Sequence, residues 1–204
     1  MYFVEGNIGS GKSTFLKKLS TEFKVVQEPV DEWSKMKNAN GKNILEEFYE
    51  DPERNAYLFQ SIAFRSRVKN IADLKDETVI IERSIYTDRM VFAEVCKEEG
   101  NINEIEWNDY TEWFDFILKH IGFKPKGFIY LRSVPEKSYE RINKRSRSGE
   151  SSISLDYLKK LHKRHDKWLV DEANVLVLDV TEEFESNPEL LEKMIQKVRD
   201  FVKV

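Results

Sequence analysis

A phosphate-binding pattern lies near the start of the chain, where Gly6-x4-Gly11-Lys12-Ser13 follows a short apolar segment and precedes a helical one. Glycines permit the tight turn that exposes backbone N–H groups to phosphate oxygens, and the helix N-terminus adds partial positive charge. In such a loop the lysine reaches the outer phosphates and the serine hydroxyl can bind Mg²⁺. We therefore predict an ATP site with a catalytic Lys12, rather than an ordinary glycine-serine turn. The predicted ATP-binding residues here are Gly6, Asn7, Ile8, Gly9, Ser10, Gly11, Lys12, Ser13 and Thr14.

A carboxylate at the end of a buried strand is the usual second part of a magnesium site, and Glu82 ends the apolar segment 79–82. The carboxyl ends of strands in open α/β sheets face the ligand crevice. Glu82 can hold Mg²⁺ through water or accept a proton from the substrate; a surface glutamate at a strand end is the alternative. The predicted cofactors are thus ATP and Mg²⁺, with Ser13 and Glu82 as the metal-binding residues.

The acceptor side of the reaction is indicated by Glu28, which we expect at the end of the second strand, directly before Pro29. A carboxylate there can take the proton of a hydroxyl nucleophile, but it would repel a substrate that already carries phosphate. Arg83, next to Glu82, can hold Glu28 in position and stabilise charge on the transferring group. The pattern therefore favours a neutral hydroxyl acceptor, with Glu28, Glu82 and Arg83 as catalytic residues.

A pocket for a flat polar ring is suggested by residues on the helical stretch before the third strand. Gln60 can donate to and accept from a base edge, and Trp33 and Phe92 can stack on a ring. Aromatic residues at helical spacing are also typical of an ordinary core, which is the alternative for each. The members on the helical stretch are Tyr49, Phe59, Gln60, Ala63 and Phe64.

An arginine-rich lid is predicted over about 141–152, where Arg141, Arg145 and Arg147 precede Gly149 and Glu150. Several arginines on a flexible segment can close over phosphates and exclude water. A solvated basic helix face is the alternative.

The elements that must position these residues alternate along the chain between short apolar segments and longer amphipathic ones. This alternation predicts an α/β P-loop kinase fold, a five-stranded parallel sheet with helices on both faces, as one domain over 1–204. The predicted strands are 2–5, 25–28, 79–82, 128–131 and 175–178. The predicted helices are 12–22, 43–50, 53–74, 86–99, 105–121, 135–146, 154–173 and 187–202.

Composition limits the partners. A net charge of −4 argues against a general nucleic-acid binder, and Cys96 is the only cysteine, so no internal disulfide can form. No apolar run approaches the roughly 20 residues that a membrane helix needs, and no signal or transit peptide precedes the first strand. We expect a cytoplasmic protein without a membrane or nucleic-acid partner.

Taken in order, these motifs resemble the deoxynucleoside kinase family over nearly the full chain. The matching segments are GNIGSGKST at 6–14, EPV-x-x-W at 28–33, YEDPERNAYLFQ at 49–60, ERSIYTDR at 82–89, RINKRSR at 141–147 and LDYLKKLHKRHDKWL at 155–169. The resemblance implies transfer of the γ-phosphoryl group of ATP to the 5′-hydroxyl of a deoxynucleoside.

The resemblance also implies roles for individual residues. Glu28 and Arg83 would lie at the 5′-hydroxyl, Tyr49 and Glu150 at the 3′-hydroxyl, and Gln60 at the base edge. Trp33, Phe59 and Phe92 would surround the ring, and Ala63 would line the same site. The segment Thr181-Glu182-Glu183-Phe184 resembles the loop that holds the adenine of ATP, so Glu182, Glu183 and Phe184 are predicted to bind ATP together with Arg141 and Arg145. Arg147 is predicted to contact substrate.

Base preference is indicated by Arg67 and Asp88, which fall where deoxycytidine and deoxyguanosine kinases carry an Arg/Asp pair. An aspartate accepts from an exocyclic amine and repels the carbonyl that thymine presents there. We therefore favour deoxycytidine or purine deoxynucleosides over thymidine or broad specificity. A thymidylate-type nucleoside monophosphate kinase and a nucleotide-gated binding module are the other candidates. The resemblance further implies a homodimer, to which the aromatic-rich stretch 105–121 would contribute.

Overall fold

A five-stranded parallel sheet forms the centre of the protein, in the order β2-β3-β1-β4-β5. The structure is a computed structural model that describes residues 1–72, 74, 78–121, 124–145 and 149–202. Strand β1, at the centre, pairs Val4 with Glu82 of β3 and Glu5 with Tyr130 of β4. The strands are β1 (Tyr2–Glu5), β2 (Lys24–Val26), β3 (Val79–Glu82), β4 (Gly127–Arg132) and β5 (Val175–Asp179). The sheet confirms the predicted α/β fold.

Helices cover both faces of this sheet. Tyr2, Val4 and Ile80 point to the face that packs on α1 and α10, whereas Phe3 and Ile81 point to the face that packs on α4 and α7. This alternation is the period of a strand that is buried on both sides. The helices are α1 (Lys12–Leu19), α2 (Val30–Lys35), α3 (Ile44–Glu50), α4 (Pro52–Ala72), α5 (Ile85–Thr87), α6 (Glu94–Glu98), α7 (Glu104–Ile121), α8 (Pro135–Arg145), α9 (Leu155–Leu169) and α10 (Pro188–Val202).

Several predicted boundaries were wrong. Strand β2 ends at Val26, so Glu28 lies in the following loop, where Pro29 then precedes the unpredicted short helix α2. Helix α1 ends at Leu19 rather than 22, and α9 ends at Leu169 rather than 173. The predicted helix 86–99 is divided by a π-helical segment, Asp88–Ala93, between α5 and α6. A π-helical turn shifts the direction of side chains, and such turns are frequent at functional sites.

Helix α3 begins at a capping box, which fixes its first turn by local sequence. The side chain of Asn43 accepts hydrogen bonds from the backbone of Leu45 and Glu46, and Glu46 accepts one from the backbone of Asn43. This reciprocal cap satisfies backbone donors that a helix start leaves free. No helix in the described part of the chain is both long enough and apolar enough to cross a membrane.

Candidate active site

The phosphate loop joins β1 to α1 at the carboxyl edge of the sheet. Gly9 has a φ of 75°, and a Cβ atom there would lie 2.5 Å from the carbonyl oxygen of Ser138 in α8. Gly11, at the start of α1, has a φ of 91°. The loop therefore needs glycine both for its backbone conformation and for the close approach of α8. Its N–H groups at the helix N-terminus form the kind of concave surface that suits a phosphate.

Side chains of the loop hold it in this shape. The Asn7 amide donates to the carbonyl of Leu158 in α9 at 2.9 Å and accepts from the backbone of Ile8 at 2.9 Å. The Lys12 ammonium donates to the carbonyl oxygens of Gly6 at 3.1 Å and Asn7 at 2.6 Å. Burial, with a smaller contribution from the nearby Arg83, lowers the pKa of Lys12 to about 7.

An oxygen pair lies where a magnesium ion is expected. The Ser13 hydroxyl donates to Glu82 Oε1 at 2.9 Å, which brings the end of β3 against the first turn of α1. Mg²⁺ prefers oxygen ligands and commonly keeps several waters and substrate phosphates as the remainder. No cluster of three or more His, Cys, Asp or Glu suited to a metal occurs among the described residues. The pair therefore fits an ion that is held chiefly by nucleotide and water.

The acceptor side is built around a shared guanidinium. Arg67 of α4 donates to both Asp88 and Glu28, while Arg83 Nε lies 3.3 Å from Glu28 Oε1. Burial favours the neutral form of Glu28, but the charges of Arg67, Arg83 and Lys12 outweigh it and lower its pKa. Glu28 is thus held as a carboxylate next to two guanidinium groups.

Asp88 is more deeply buried than Glu28, and its pKa shifts in the opposite direction. Burial raises the pKa of Asp88 to about 7, although Arg67 opposes the shift. Asp88 Oδ2 and Arg67 Nε are buried without a hydrogen-bond partner in the described part of the chain. One acceptor and one donor are consequently available there for a ligand.

Sequence reasoning assigned Arg67 only to the pair with Asp88 and missed its contact with Glu28. Gln60, Ala63 and Arg67 are spaced three and four residues apart on one face of α4, which indicates a shared cavity wall but not the contact with Glu28. Arg83 does approach Glu28, as predicted, and its guanidinium also lies 4.8 Å above the Phe92 ring.

One cavity of about 260 Å³ connects the two halves of the site. Trp33 donates its indole N–H to Ser66 at 3.0 Å, and Phe59 stacks on Phe48, so the aromatic wall is fixed by its own packing. The predicted site residues on the cavity wall are Ile8, Gly9, Gly11, Lys12, Ser13, Thr14, Glu28, Trp33, Tyr49, Phe59, Gln60, Ala63, Arg67, Glu82, Arg83, Asp88, Phe92, Arg145 and Glu150. Lining residues that the sequence analysis did not single out are Lys17, Gln27, Val30, Asp31 and Leu45.

The lid residues are divided between two places. At the cavity, Arg145 Nη2 donates to both carboxylate oxygens of Glu150 at 2.6 and 2.7 Å, and Arg145 Nε donates to Oε2 at 3.2 Å. Arg141 donates to the carbonyl of Glu182 at 3.2 Å and lies 3.7 Å from Glu183, away from the cavity wall. Arg147 lies outside the described residues.

Phe184 occupies the core beneath the phosphate loop. Its ring packs edge-on against Phe15 at 5.9 Å and would lie 3.0 Å from a Cβ atom on Gly11. The side chain is 2% exposed. It therefore supports the loop from below, whereas the backbone carbonyl of Glu182 contacts Arg141.

The parallel sheet, the glycine-rich loop at its carboxyl edge and the adjoining Glu28 carboxylate together define a P-loop phosphotransferase. The family model for deoxynucleoside kinase matches residues 2–203. Deoxycytidine kinase of Mus musculus is 37% identical, across 98% of this chain and 89% of its own length. The probable deoxycytidine kinase of Fowlpox virus is 38% identical, across 87% and 76%. Mitochondrial deoxyguanosine kinase of Xenopus laevis is 34% identical, across 98% and 88%.

The chain belongs to the deoxynucleoside kinase family. This membership confirms the resemblance drawn from the six motifs. It also confirms the prediction of an ATP-dependent deoxynucleoside kinase, rather than a thymidylate-type nucleoside monophosphate kinase or a nucleotide-gated binding module.

Proposed function

We propose that this kinase transfers the γ-phosphoryl group of ATP to the 5′-hydroxyl of a deoxynucleoside, with Glu28 as the group that receives the hydroxyl proton. The observation that carries this assignment is the Glu28 carboxylate, held ionised by Arg67 and Arg83 in the cavity that also contains Lys12 and Ser13. A carboxylate at that place attracts a hydroxyl proton and repels an acceptor phosphate.

The reaction is an in-line displacement. The 5′-oxygen forms a bond to the γ-phosphorus as its proton passes to Glu28, and the bond between that phosphorus and the bridging oxygen breaks to release ADP. Arg83 and Lys12 donate to phosphate oxygens and stabilise the charge that builds on them. Mg²⁺, when bound beside Ser13 and Glu82, would neutralise part of the phosphate charge. The Ser13 bond to Glu82 favours the metal role for Glu82 and the proton-accepting role for Glu28.

For the base, we propose deoxycytidine or a purine deoxynucleoside. The free Oδ2 atom of Asp88 is a ready acceptor for an exocyclic amine, and Arg67 Nε is a ready donor for a ring nitrogen or carbonyl. Gln60, buried in the same wall, offers both kinds of group. The relatives described above are named as deoxycytidine and deoxyguanosine kinases, which agrees with this preference.

For the sugar, we propose that Tyr49 and Glu150 bind the 3′-hydroxyl. Both line the cavity, and burial together with the Glu150 charge raises the pKa of Tyr49. The neutral phenol is then a donor and the Glu150 carboxylate an acceptor for one hydroxyl. Arg145, paired with Glu150, would link this contact to the phosphates. Arg141 with Glu182 and Glu183 would hold the adenine, whereas the buried Phe184 supports the phosphate loop from the core.

We also propose a homodimer through α7. On this helix Trp113 is 55% exposed and packs against Phe116, which is 48% exposed. Clustered exposed aromatic side chains mark interaction surfaces. The cytoplasmic location and the lack of a nucleic-acid or membrane partner stay predictions.

A substrate panel tests the proposal most directly. The protein is incubated with ATP, Mg²⁺ and each of the four deoxynucleosides, and with deoxycytidine monophosphate, and ADP release is measured. We expect turnover with deoxycytidine or the purine deoxynucleosides and little with thymidine. Turnover of the monophosphate alone would contradict the proposed acceptor.

A further inference from the structure

A fully buried carboxylate, Glu5, lies at the end of β1 directly before the phosphate loop. Its Oε1 atom accepts a hydrogen bond from the backbone N–H of Ser84 at 2.8 Å, and its Oε2 atom accepts one from the Thr87 hydroxyl. Glu5 is not among the described residues that line the cavity. It therefore touches no substrate position, but it joins the start of the phosphate loop to the segment that follows Glu82.

That segment has an unusual backbone. Arg83 has a φ of 61°, the one positive φ found on a residue other than glycine in the described part of the chain. Residues with a side chain rarely adopt this conformation, and it persists only where the surroundings hold it. Strained backbone of this kind occurs mainly at active sites, where it directs a side chain.

Three hydrogen bonds hold the strained turn against residues 4 to 6. The Arg83 N–H donates to the carbonyl of Val4 at 3.0 Å, and the Arg83 guanidinium donates to the carbonyl of Gly6 at 2.9 Å. The third is the bond from the Ser84 N–H to Glu5. Glu5 supplies the only side chain among these three acceptors, and it accepts a further bond from the Thr87 hydroxyl in α5, the helix that follows the turn.

The turn determines where the Arg83 guanidinium lies. Its Nε atom is 3.3 Å from Glu28, and the group lies 4.8 Å above the Phe92 ring, on the cavity wall. A change of the backbone at residue 83 would move the guanidinium away from both. An apolar side chain would fill the same space without the free-energy cost of burying a carboxyl group. What Glu5 adds at this position is therefore its hydrogen bonds to Ser84 and Thr87.

We propose that Glu5 is a positioning residue for phosphoryl transfer: through Ser84 and Thr87 it holds the turn at Arg83, so that the guanidinium meets Glu28 and the transferring group. This rests on the proposed function, because it takes Arg83 and Glu28 as the groups at the acceptor hydroxyl. Glu5 itself exchanges no proton with the substrate.

The experiment uses two matched pairs of variants in the full chain. Glu5→Ala removes both bonds, whereas Glu5→Gln keeps them, because its amide oxygen accepts from Ser84 and its amide nitrogen donates to the Thr87 oxygen. Thr87→Val removes one bond, whereas Thr87→Ser keeps the hydroxyl. For each variant, kcat with deoxycytidine is divided by the fraction of protein that binds ATP, and the Kd values of ATP and deoxycytidine are measured separately.

We expect kcat to fall about tenfold or more in Glu5→Ala and severalfold in Thr87→Val, as for the loss of buried hydrogen bonds that leaves the partner groups unpaired. Glu5→Gln and Thr87→Ser should stay within about threefold of the original protein, and both Kd values should change little. A purely structural role would lower the thermal midpoint and the ATP-binding fraction without changing the corrected kcat. That result would overturn the proposal.

A double-mutant cycle decides whether Glu5 acts through Arg83. In the Arg83→Ala background, Glu5→Ala should lower the residual turnover no further, because coupled residues are not additive. Independent, additive losses would overturn the proposal.

If Glu5→Ala does not fold, equal corrected kcat values for Thr87→Val and Thr87→Ser would overturn the proposal instead. A wild-type protein without deoxynucleoside turnover would overturn the proposed function too, whereas active wild type with unimpaired variants would overturn the Glu5 inference alone.

Discussion

The phosphate loop and the acceptor site lie at the same edge of the sheet, but they are built in different ways. The loop comes from one continuous segment, 6–13, and offers mainly backbone N–H groups. The acceptor site takes single side chains from separate segments: Glu28 from the loop after β2, Arg67 from α4 and Asp88 from the π-helical segment. The phosphate loop depends on backbone shape, whereas the acceptor site depends on the balance of buried charges. Different substitutions should therefore impair ATP binding and phosphoryl transfer.

The largest effect should come from removing acceptor charges. Glu28→Ala and Arg83→Ala should each lower kcat by about 10³-fold, since proton acceptance and charge stabilisation each contribute roughly 10² to 10⁴. For Glu28→Ala, titration with ATP should give a Kd within about threefold of the original protein, because the hydrogen bond of Glu28 goes to Arg67 rather than to the loop backbone. Arg83→Ala should weaken ATP binding more, because it also removes the hydrogen bond to the Gly6 carbonyl. A large loss of ATP affinity in Glu28→Ala would show that the two regions do not act separately.

Arg67 and Asp88 should separate base preference from turnover. The double variant Arg67→Met with Asp88→Ala should shift the ratio of kcat/KM for deoxycytidine over thymidine about 10²-fold toward thymidine, since mismatched hydrogen-bonding groups are rejected by this order. Arg67→Met alone should also lower kcat with every deoxynucleoside, because Glu28 loses its closest cation. An unchanged substrate ranking would show that the pair does not recognise the base.

A glycine pair probes the backbone of the phosphate loop. Gly9→Ala should raise the KM for ATP about tenfold or more, because its new Cβ atom would collide with the carbonyl of Ser138. Gly41→Ala is the matched control: its φ is also positive, at 81°, but nothing lies within 4 Å. Both should lose about 1 kcal/mol of stability from backbone strain, and only Gly9→Ala should affect ATP. Equal ATP KM values for the two would contradict a shape-dependent loop.

The pH profile should report the buried charge at Asp88. With its pKa raised to about 7, Asp88 is mostly protonated at pH 6 and ionised at pH 8. Lys12 also has a pKa of about 7 in the protein alone, but the negative charge of bound ATP favours its ammonium form, so kcat/KM for deoxycytidine at saturating ATP should rise severalfold across this window. Because the folded pKa exceeds the unfolded one, the contribution of Asp88 to stability is lost as pH rises from about 4 to 7. Asp88→Asn should flatten both curves; a profile that keeps its rise in this variant would assign the titration to another group.

The two regions also differ in how well sequence predicts them. The glycine, lysine and serine spacing located the phosphate loop because contiguous residues fix it locally. The candidate acceptor residues were proposed one by one, but the sharing of Arg67 was missed, since it depends on how α4 packs against the loop after β2. Glu28 was placed at the end of β2 because the strand was expected to continue up to Pro29, whereas the chain leaves the sheet two residues before Glu28. The positive φ of Arg83 could not be predicted from the sequence, because a glycine is the usual indication of such a backbone conformation and residue 83 is an arginine.

The guanidinium shared by Asp88 and Glu28 has a consequence for attempts to redesign this enzyme. Because Arg67 donates to both carboxylates, a substitution there that suits a new nucleobase should also alter Glu28, the proposed proton acceptor, so a gain in selectivity should come with a change in turnover. Directed evolution toward thymidine analogues should consequently retain the arginine and vary its aspartate partner first. Variants that do lose Arg67 should recover activity only through a second mutation that restores positive charge beside Glu28.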